Sequence, residues 1–151
     1  MKKILVSECL YGGRIVRYDG GEVPENDARF LKWKAEGRLV PICPEVFGGL
    51  PIPRPDSQRV GDKVLTGTGK DVTKEYTSGA TETLRLAQEH DVVFAIMKQD
   101  SPSCGSKFIY DGTFTDTKKE GQGLAVEYLR NADFKVFSED DLDEAERLLA
   151  K

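Results

Sequence analysis

The chain has 151 residues, of which 38% are hydrophobic and 32% are charged, and its formal net charge is −4. This size and composition predict one folded domain, residues 1–151, and exclude a disordered chain. The negative charge gives no electrostatic basis for binding a nucleic-acid polymer. The apolar run that ends at Ser7 is too short for a signal peptide or a membrane span, so we expect a cytoplasmic protein that does not engage a membrane.

The spacing of apolar residues predicts strands and helices that alternate along the chain. In chain order, the predicted elements are a strand at 3–7, a helix at 24–37, a strand at 39–42, an ordered irregular loop at 43–55, a hairpin at 58–65, a helix at 73–90, a strand at 92–97, a short strand at 108–110, a helix at 123–130, a strand at 135–137 and a last helix capped by Ser138. This order predicts a three-layer α/β/α, Rossmann-like fold with a mostly parallel sheet.

The three cysteines are the most informative residues, because each follows a predicted strand. Cys9 follows the first strand, Cys43 follows the second, and Cys104 lies just beyond the strand at 92–97. Parallel neighbours in one sheet would bring all three sulfurs to its carboxyl edge, where open α/β sheets bind their ligands. An odd number of cysteines cannot form a complete set of internal disulfides, so we expect free thiols or metal ligands.

Two interpretations of the cysteines are open on these grounds. Free cysteine is often a small buried apolar residue, and the chain has no C-x-x-C pair to argue otherwise. Alternatively, three thiolates in a chain whose one histidine is His90 suit a soft metal, namely zinc, copper(I) or an iron–sulfur cluster. A structural zinc normally takes four protein ligands, whereas a 4Fe-4S cluster on three cysteines leaves one iron open.

Other polar residues near the same edge are candidates for chemistry. Glu45 lies two residues after Cys43 and is a candidate for proton transfer, although a solvated loop carboxylate is an equal interpretation. Ser101 begins a turn that ends at Gly105 and is a candidate for binding substrate, although the composition is also that of an ordinary turn. Cys104 itself is an alternative candidate, as the thiolate of a metal-free thiol enzyme.

The motifs, taken together, resemble one known family. The matching stretches are residues 6–10, 17–21, 41–51, 69–73, 101–105, 109–114 and 121–123. They cover nearly the whole chain and are similar to those of the thiouracil desulfurases of the TudS type, long catalogued as a domain of unknown function. The chain departs from the family pattern at Glu8, where a small residue is usual, and at residues 11–13.

The resemblance implies a cofactor and a reaction. It implies a 4Fe-4S cluster held by Cys9, Cys43 and Cys104, with one open iron that binds the substrate's sulfur. Glu45 and Ser101 fall where the catalytic residues of the family lie. The implied reaction is non-redox: a thiocarbonyl sulfur is replaced by oxygen from water, as in the conversion of thiouracil to uracil with release of sulfide.

The resemblance also implies a small thiolated nucleobase or nucleoside as substrate. We expect Arg17 and Asp19, which follow the first strand by a few residues, to wall the site, and Ser103 to contact the substrate. A structural Arg–Asp pair in a turn is the competing interpretation of Arg17 and Asp19. The alternative function is a metal-binding, iron–sulfur-binding or sulfur-carrier protein without turnover.

Overall fold

Helices and strands alternate along the chain in the computed structural model, which describes residues 1–151. In chain order its elements are β1 (Ile4–Ser7), α1 (Glu8–Tyr11), α2 (Ala28–Ala35), β2 (Leu39–Ile42), α3 (Pro44–Phe47), β3 (Ser57–Val60), β4 (Lys63–Thr66), α4 (Thr73–Glu89), β5 (Phe94–Met97), β6 (Phe108–Tyr110), β7 (Lys118–Glu120), α5 (Leu124–Asn131), β8 (Val136–Ser138) and α6 (Leu142–Leu149). Strands β3–β4 and β6–β7 form two antiparallel hairpins. None of the helices is both long and apolar enough to cross a lipid bilayer.

The central sheet has the strand order β2-β1-β5-β8, and its neighbouring strands all run parallel. In register, Ile4 of β1 lies between Leu39 of β2 and Phe94 of β5. The chain first adds β2 on one side of β1 and later adds β5 on the other side. The switch point of the sheet therefore lies between β1 and β5, which is where open α/β sheets bind ligands. The predicted fold class is confirmed.

Helices cover both faces of the sheet. Side chains alternate along β1, so that Leu5 packs with α4 and α5 while Ile4 and Val6 pack with α2 and α6. All three side chains are fully buried. A strand that is apolar on both faces belongs in the middle layer of a three-layer fold, and this explains why its sequence is a continuous apolar run.

Two glycines let helices approach the loops that leave the carboxyl edge. A Cβ on Gly79 of α4 would lie 1.9 Å from the carbonyl oxygen of Pro44, at the start of α3. A Cβ on Gly123, the residue before α5, would lie 2.3 Å from the carbonyl carbon of Ser103. No side chain fits at such distances, so glycine is required at both contacts. The contacts hold the loops after β2 and β5 against the helical layer.

Two helices start later than the sequence predicted. The predicted start at Pro24 is wrong, because Asp27 accepts a hydrogen bond from the amide of Arg29 (2.8 Å) and caps α2 at that point. The predicted cap of the last helix, Ser138, is also wrong. The N-cap of α6 is Asp141, and its carboxylate accepts a hydrogen bond from the amide of Ser138 (3.0 Å).

Three short elements were not predicted. A regular element was excluded from residues 43–55, but α3 forms a single helical turn there, starting at Pro44, where a missing N–H costs no hydrogen bond. The single turn α1 was also missed. Strand β7 was missed because all of its residues are exposed, so it has no apolar alternation to detect. The hairpin predicted over residues 58–65 is confirmed as β3–β4.

Candidate active site

All three cysteines line one cavity of about 250 Å³ at the carboxyl edge of the sheet. Cys9 lies in α1, directly after β1, and Cys43 lies between β2 and α3. Cys104 lies in the loop that leaves β5. Because β2, β1 and β5 are neighbours, the sheet brings together three thiols that are far apart in the sequence.

The three thiols are free, and burial disfavours their ionisation. Burial, and then the neighbouring Cys43, raises the pKa of Cys9 to about 12. Burial also raises the pKa of Cys43 and that of Cys104. A thiol with a raised pKa is a weak nucleophile at neutral pH. Burial thus favours the neutral thiol over the thiolate at all three positions.

The donor set of the cavity is soft. Cys9, Cys43 and Cys104 bring three sulfur atoms to its lining. Thiolates are the usual ligands of iron–sulfur clusters, and they also bind zinc and copper(I). By donor chemistry the cavity therefore fits a thiolate-bound metal centre, and an iron–sulfur cluster takes such ligands.

Gln99 organises the loop that carries Cys104. Its side-chain oxygen accepts hydrogen bonds from the backbone amides of Ser106, Lys107 and Phe108, at 3.2, 3.1 and 3.1 Å. These amides belong to no helix, and β6 begins only at the last of them, so the side chain supplies an acceptor that the local backbone does not. The loop is thereby shaped before any ligand binds, which is the preorganisation that a functional site requires.

Two serine hydroxyls connect the Cys104 loop to a carboxylate. The Ser101 hydroxyl oxygen accepts hydrogen bonds from the amides of Ser103 and Cys104, both at 3.1 Å. The Ser103 hydroxyl donates to Oε2 of Glu45 at 2.9 Å and lies 2.9 Å from the Ser101 hydroxyl. The backbone thus orients Ser101, and a short chain of hydroxyls leads from it to Glu45. Such a chain can carry a proton.

Glu45 is enclosed by groups that the sequence analysis did not identify. Arg54 pairs with Oε1 of Glu45 at 3.0 Å, and their side chains are only 4% and 13% exposed. The phenol of Tyr76 is buried beside the same carboxylate, and burial first and the Glu45 charge second raise the pKa of Tyr76 well above its usual value. One carboxylate oxygen thus faces a cation, while the other faces the serine hydroxyls.

Arg17 and Asp19 are paired in the structure, but they differ in their position relative to the cavity. Arg17 lines the cavity, whereas Asp19 does not. Asp19 lies behind Arg17, 3.3 Å from its Nε, and accepts a hydrogen bond from the amide of Gly21 at 2.8 Å. That amide and then Arg17 lower the pKa of Asp19. Asp19 thus closes a turn and orients Arg17 from outside the cavity.

Several further side chains at the mouth of the cavity were missed. Lys98 follows β5 directly and pairs with Glu139 at 2.7 Å. Tyr18, Asp56 and Tyr110 also line the cavity. The signal that located the cysteines, a position just after a strand of the parallel sheet, also applies to Lys98. The tertiary fold alone brings in the other three.

These features define the class of protein: a three-layer α/β protein with a thiol-lined ligand cavity at the switch point of its sheet. The model of the 2-thiouracil desulfurase family matches residues 4–141. The chain therefore belongs to the 2-thiouracil desulfurase family, as the resemblance of its motifs predicted.

Two known proteins are similar to the chain over almost its whole length. One is the uncharacterized protein YbbK of Bacillus subtilis (strain 168), with 39% identity over 93% of this chain and 98% of that protein. The other is a solved structure, the 4Fe-4S-dependent thiouracil desulfidase TudS. It superimposes with a TM-score of 0.97 and 43% identity over 99% of each chain.

Proposed function

We propose that the chain is an iron–sulfur-dependent enzyme that removes sulfur from a thiolated pyrimidine without a net redox change. The observation that carries the proposal is the convergence of three free thiols and the Glu45 carboxylate on one cavity. Membership of the family and the similarity to a 4Fe-4S-dependent thiouracil desulfidase support it. The three free thiols also suit the reducing cytoplasm, which is the location we propose.

The proposed ligands of the cofactor are Cys9, Cys43 and Cys104. Their donor chemistry fits a 4Fe-4S cluster, because soft thiolates are the usual ligands of iron–sulfur clusters. When bound by three cysteines, such a cluster supplies an iron with an open position, which acts as a Lewis acid toward the sulfur of a thiocarbonyl group.

Glu45 is the proposed proton acceptor. In the overall reaction, water adds its oxygen to the thiocarbonyl carbon, the sulfur leaves as sulfide, and no electrons are gained or lost. The attacking water must lose protons, and Oε2 of Glu45 has no cation bound to it and faces the cavity through the serine hydroxyls. Ser101 and Ser103 are proposed to orient the substrate and to relay the proton.

The proposed substrate is a small thiolated nucleobase or nucleoside. A cavity of about 250 Å³ is slightly smaller than most ligand sites, which suits a small molecule such as a single base. Arg17 is proposed to contact the substrate at the cavity wall, with Asp19 holding its guanidinium from behind. The enclosed network around Glu45 favours an enzyme over a sulfur carrier, because a carrier needs no proton acceptor.

Turnover in isotopically labelled water tests the proposal. The anaerobically reconstituted protein, given 2-thiouracil in H₂¹⁸O and no reductant, is expected to release uracil and sulfide in equal amounts. The uracil should carry one ¹⁸O atom. Bound thiouracil without uracil release would contradict the proposal and indicate a binding or carrier protein. A requirement for added reductant would contradict the non-redox chemistry.

A further inference from the structure

Arg54 is the most completely enclosed charged side chain of the cavity. Its Nε and Nη2 lie 3.1 and 3.0 Å from Oε1 of Glu45. Its Nη2 also donates to the carbonyl oxygen of Val16 at 2.9 Å, and its Nη1 donates to that of Pro51 at 3.1 Å. The backbone amide of Arg54 donates to the carbonyl oxygen of Tyr18 at 2.9 Å. One residue thus joins the loops that leave β1 and β2.

The shape of the guanidinium matters for these contacts. A planar fork with five N–H donors satisfies a carboxylate and two carbonyl oxygens at once, whereas a lysine ammonium is a single compact charge. Since the side chain of Arg54 is only 4% exposed, water cannot replace a lost partner. Removing one member of a buried ion pair leaves the other uncompensated, so Arg54 and Glu45 depend on each other.

The pairing also decides which oxygen of Glu45 is available. Arg54 holds Oε1, so Oε2 is directed toward Ser103 at 2.9 Å and Ser101 at 3.5 Å. Without the cation, the carboxylate can rotate and both oxygens compete for the same hydroxyls. We infer that Arg54 is a positioning residue that acts through Glu45, fixing the orientation of its carboxylate for the desulfuration reaction. This inference rests on the proposed function.

The turn that follows Cys43 has backbone hydrogen bonds of its own that do not involve Arg54. The α3 turn, which follows Cys43, is closed by backbone hydrogen bonds from Phe47 to Cys43 and from Gly48 to Pro44, both at 3.0 Å. A Cβ on Gly48 would lie 2.0 Å from the carbonyl oxygen of Glu75, so the turn is pressed against α4. Loss of Arg54 should therefore disturb Glu45 and leave the cysteine in place.

The test compares Arg54→Met and Arg54→Lys with a matched control, Arg59→Met. Arg59 is also a buried arginine in an ion pair, with Glu127 at 3.3 Å, but it does not line the cavity. Five properties are measured for each reconstituted protein: the iron content, the absorption spectrum of the cofactor, kcat and KM for 2-thiouracil, and the thermal unfolding midpoint.

The Arg54→Met variant is expected to keep the iron content and spectrum of the parent. Its kcat should fall about 100-fold, the cost of a misplaced reacting group. Its KM should change by less than about 3-fold, because the interaction acts on the chemical step and not on binding. The kcat of Arg54→Lys should lie between that of Arg54→Met and that of the parent, because lysine keeps the positive charge but loses the planar guanidinium group. Arg59→Met should lower the unfolding midpoint and leave kcat unchanged.

Two results would overturn the inference. If folded Arg54→Met loses its iron, Arg54 serves to hold the cysteine ligands in place and does not act through Glu45. If its kcat equals that of the parent, Arg54 has no part in the mechanism. If Arg54→Met does not fold, Arg54→Lys decides: full iron with a parental kcat overturns the inference, and full iron with a lowered kcat supports it. A parent protein that makes no uracil contradicts the proposed function instead.

Discussion

The two edges of the central sheet share their strands but differ in chemistry. At the carboxyl edge, the cavity holds buried side chains that pair with one another, such as Glu45 and Arg54. At the amino edge, a more open depression is lined by exposed charges, among them Lys2, Asp133 and Lys135. Buried polar groups must be paired, whereas exposed ones need no partner. We therefore expect the residues of the carboxyl edge to take part in the reaction, and the charged residues of the amino edge to be solvated and to have no part in it.

The largest effect is expected at the cysteines. Replacing Cys104 by serine should abolish cofactor binding and uracil formation together, because a serine hydroxyl is a poor ligand for iron in a cluster. Iron analysis and product detection measure both properties. The unfolding midpoint of the metal-free variant should stay near that of the metal-free parent. Full turnover by the Cys104→Ser variant would contradict the assignment of the chemistry to the carboxyl edge.

The next largest effect is expected at Glu45. Glu45→Gln should keep the iron content and lower kcat by about 10²- to 10⁴-fold, because an amide cannot accept the proton from water. The matched control is Glu127→Gln, which breaks the ion pair with Arg59 outside the cavity and should keep kcat. Equal activity of parent and Glu45→Gln would take the carboxylate out of the chemistry.

A smaller effect is expected at Ser103. Ser103→Ala removes the hydrogen bond to Glu45 and should lower kcat by about 10- to 100-fold, since a hydrogen bond to a charged group is worth about 1.5–3 kcal/mol. Ser78→Ala, on the exposed face of α4, is the control and should have parental kinetics. If both alanine variants behave alike, Ser103 has no part in the reaction.

Asp27 lies outside the cavity and should affect stability alone. Asp27→Ala removes the cap of α2 and should lower the free energy of unfolding by about 1 kcal/mol, with kcat unchanged. Arg29 lowers the pKa of Asp27 to about 2, so this contribution is present at neutral pH and is lost as the pH falls below about 4. Urea unfolding at pH 7 and near pH 2 should show a difference between parent and variant at the higher pH only.

The smallest effect is expected at the amino edge. Lys135→Ala replaces an exposed charge and should change the free energy of unfolding by less than about 0.5 kcal/mol, with no change in kcat. Steady-state kinetics and urea unfolding check both values. A clear loss of turnover in this variant would show that the chemistry is not confined to one edge.

The sheet was predictable because buried parallel strands are continuous apolar runs. Its strands then located Cys9, Cys43 and Cys104, since a residue just after a parallel strand lies at the carboxyl edge. The start of α2 was not predictable from Pro24, because the N-cap is Asp27, whose side chain accepts a hydrogen bond from the backbone amide of Arg29.

Arg54 and Tyr76 show what the sequence could not supply. Arg54 lies among prolines, where no periodic pattern exists, and it meets Glu45 only because the loop folds back on itself. Tyr76 fits the apolar face of α4 and is buried as that pattern predicts. The pattern does not show that its phenol meets a carboxylate. Both contacts depend on tertiary structure and have no local signal.

The most direct test of the central claim is the metal content of the anaerobically reconstituted protein. We expect about four iron atoms and four inorganic sulfides per chain, the composition of a 4Fe-4S cluster. The Cys9→Ser, Cys43→Ser and Cys104→Ser variants should each lose most of this iron. One zinc per chain with no uptake of iron would contradict the claim.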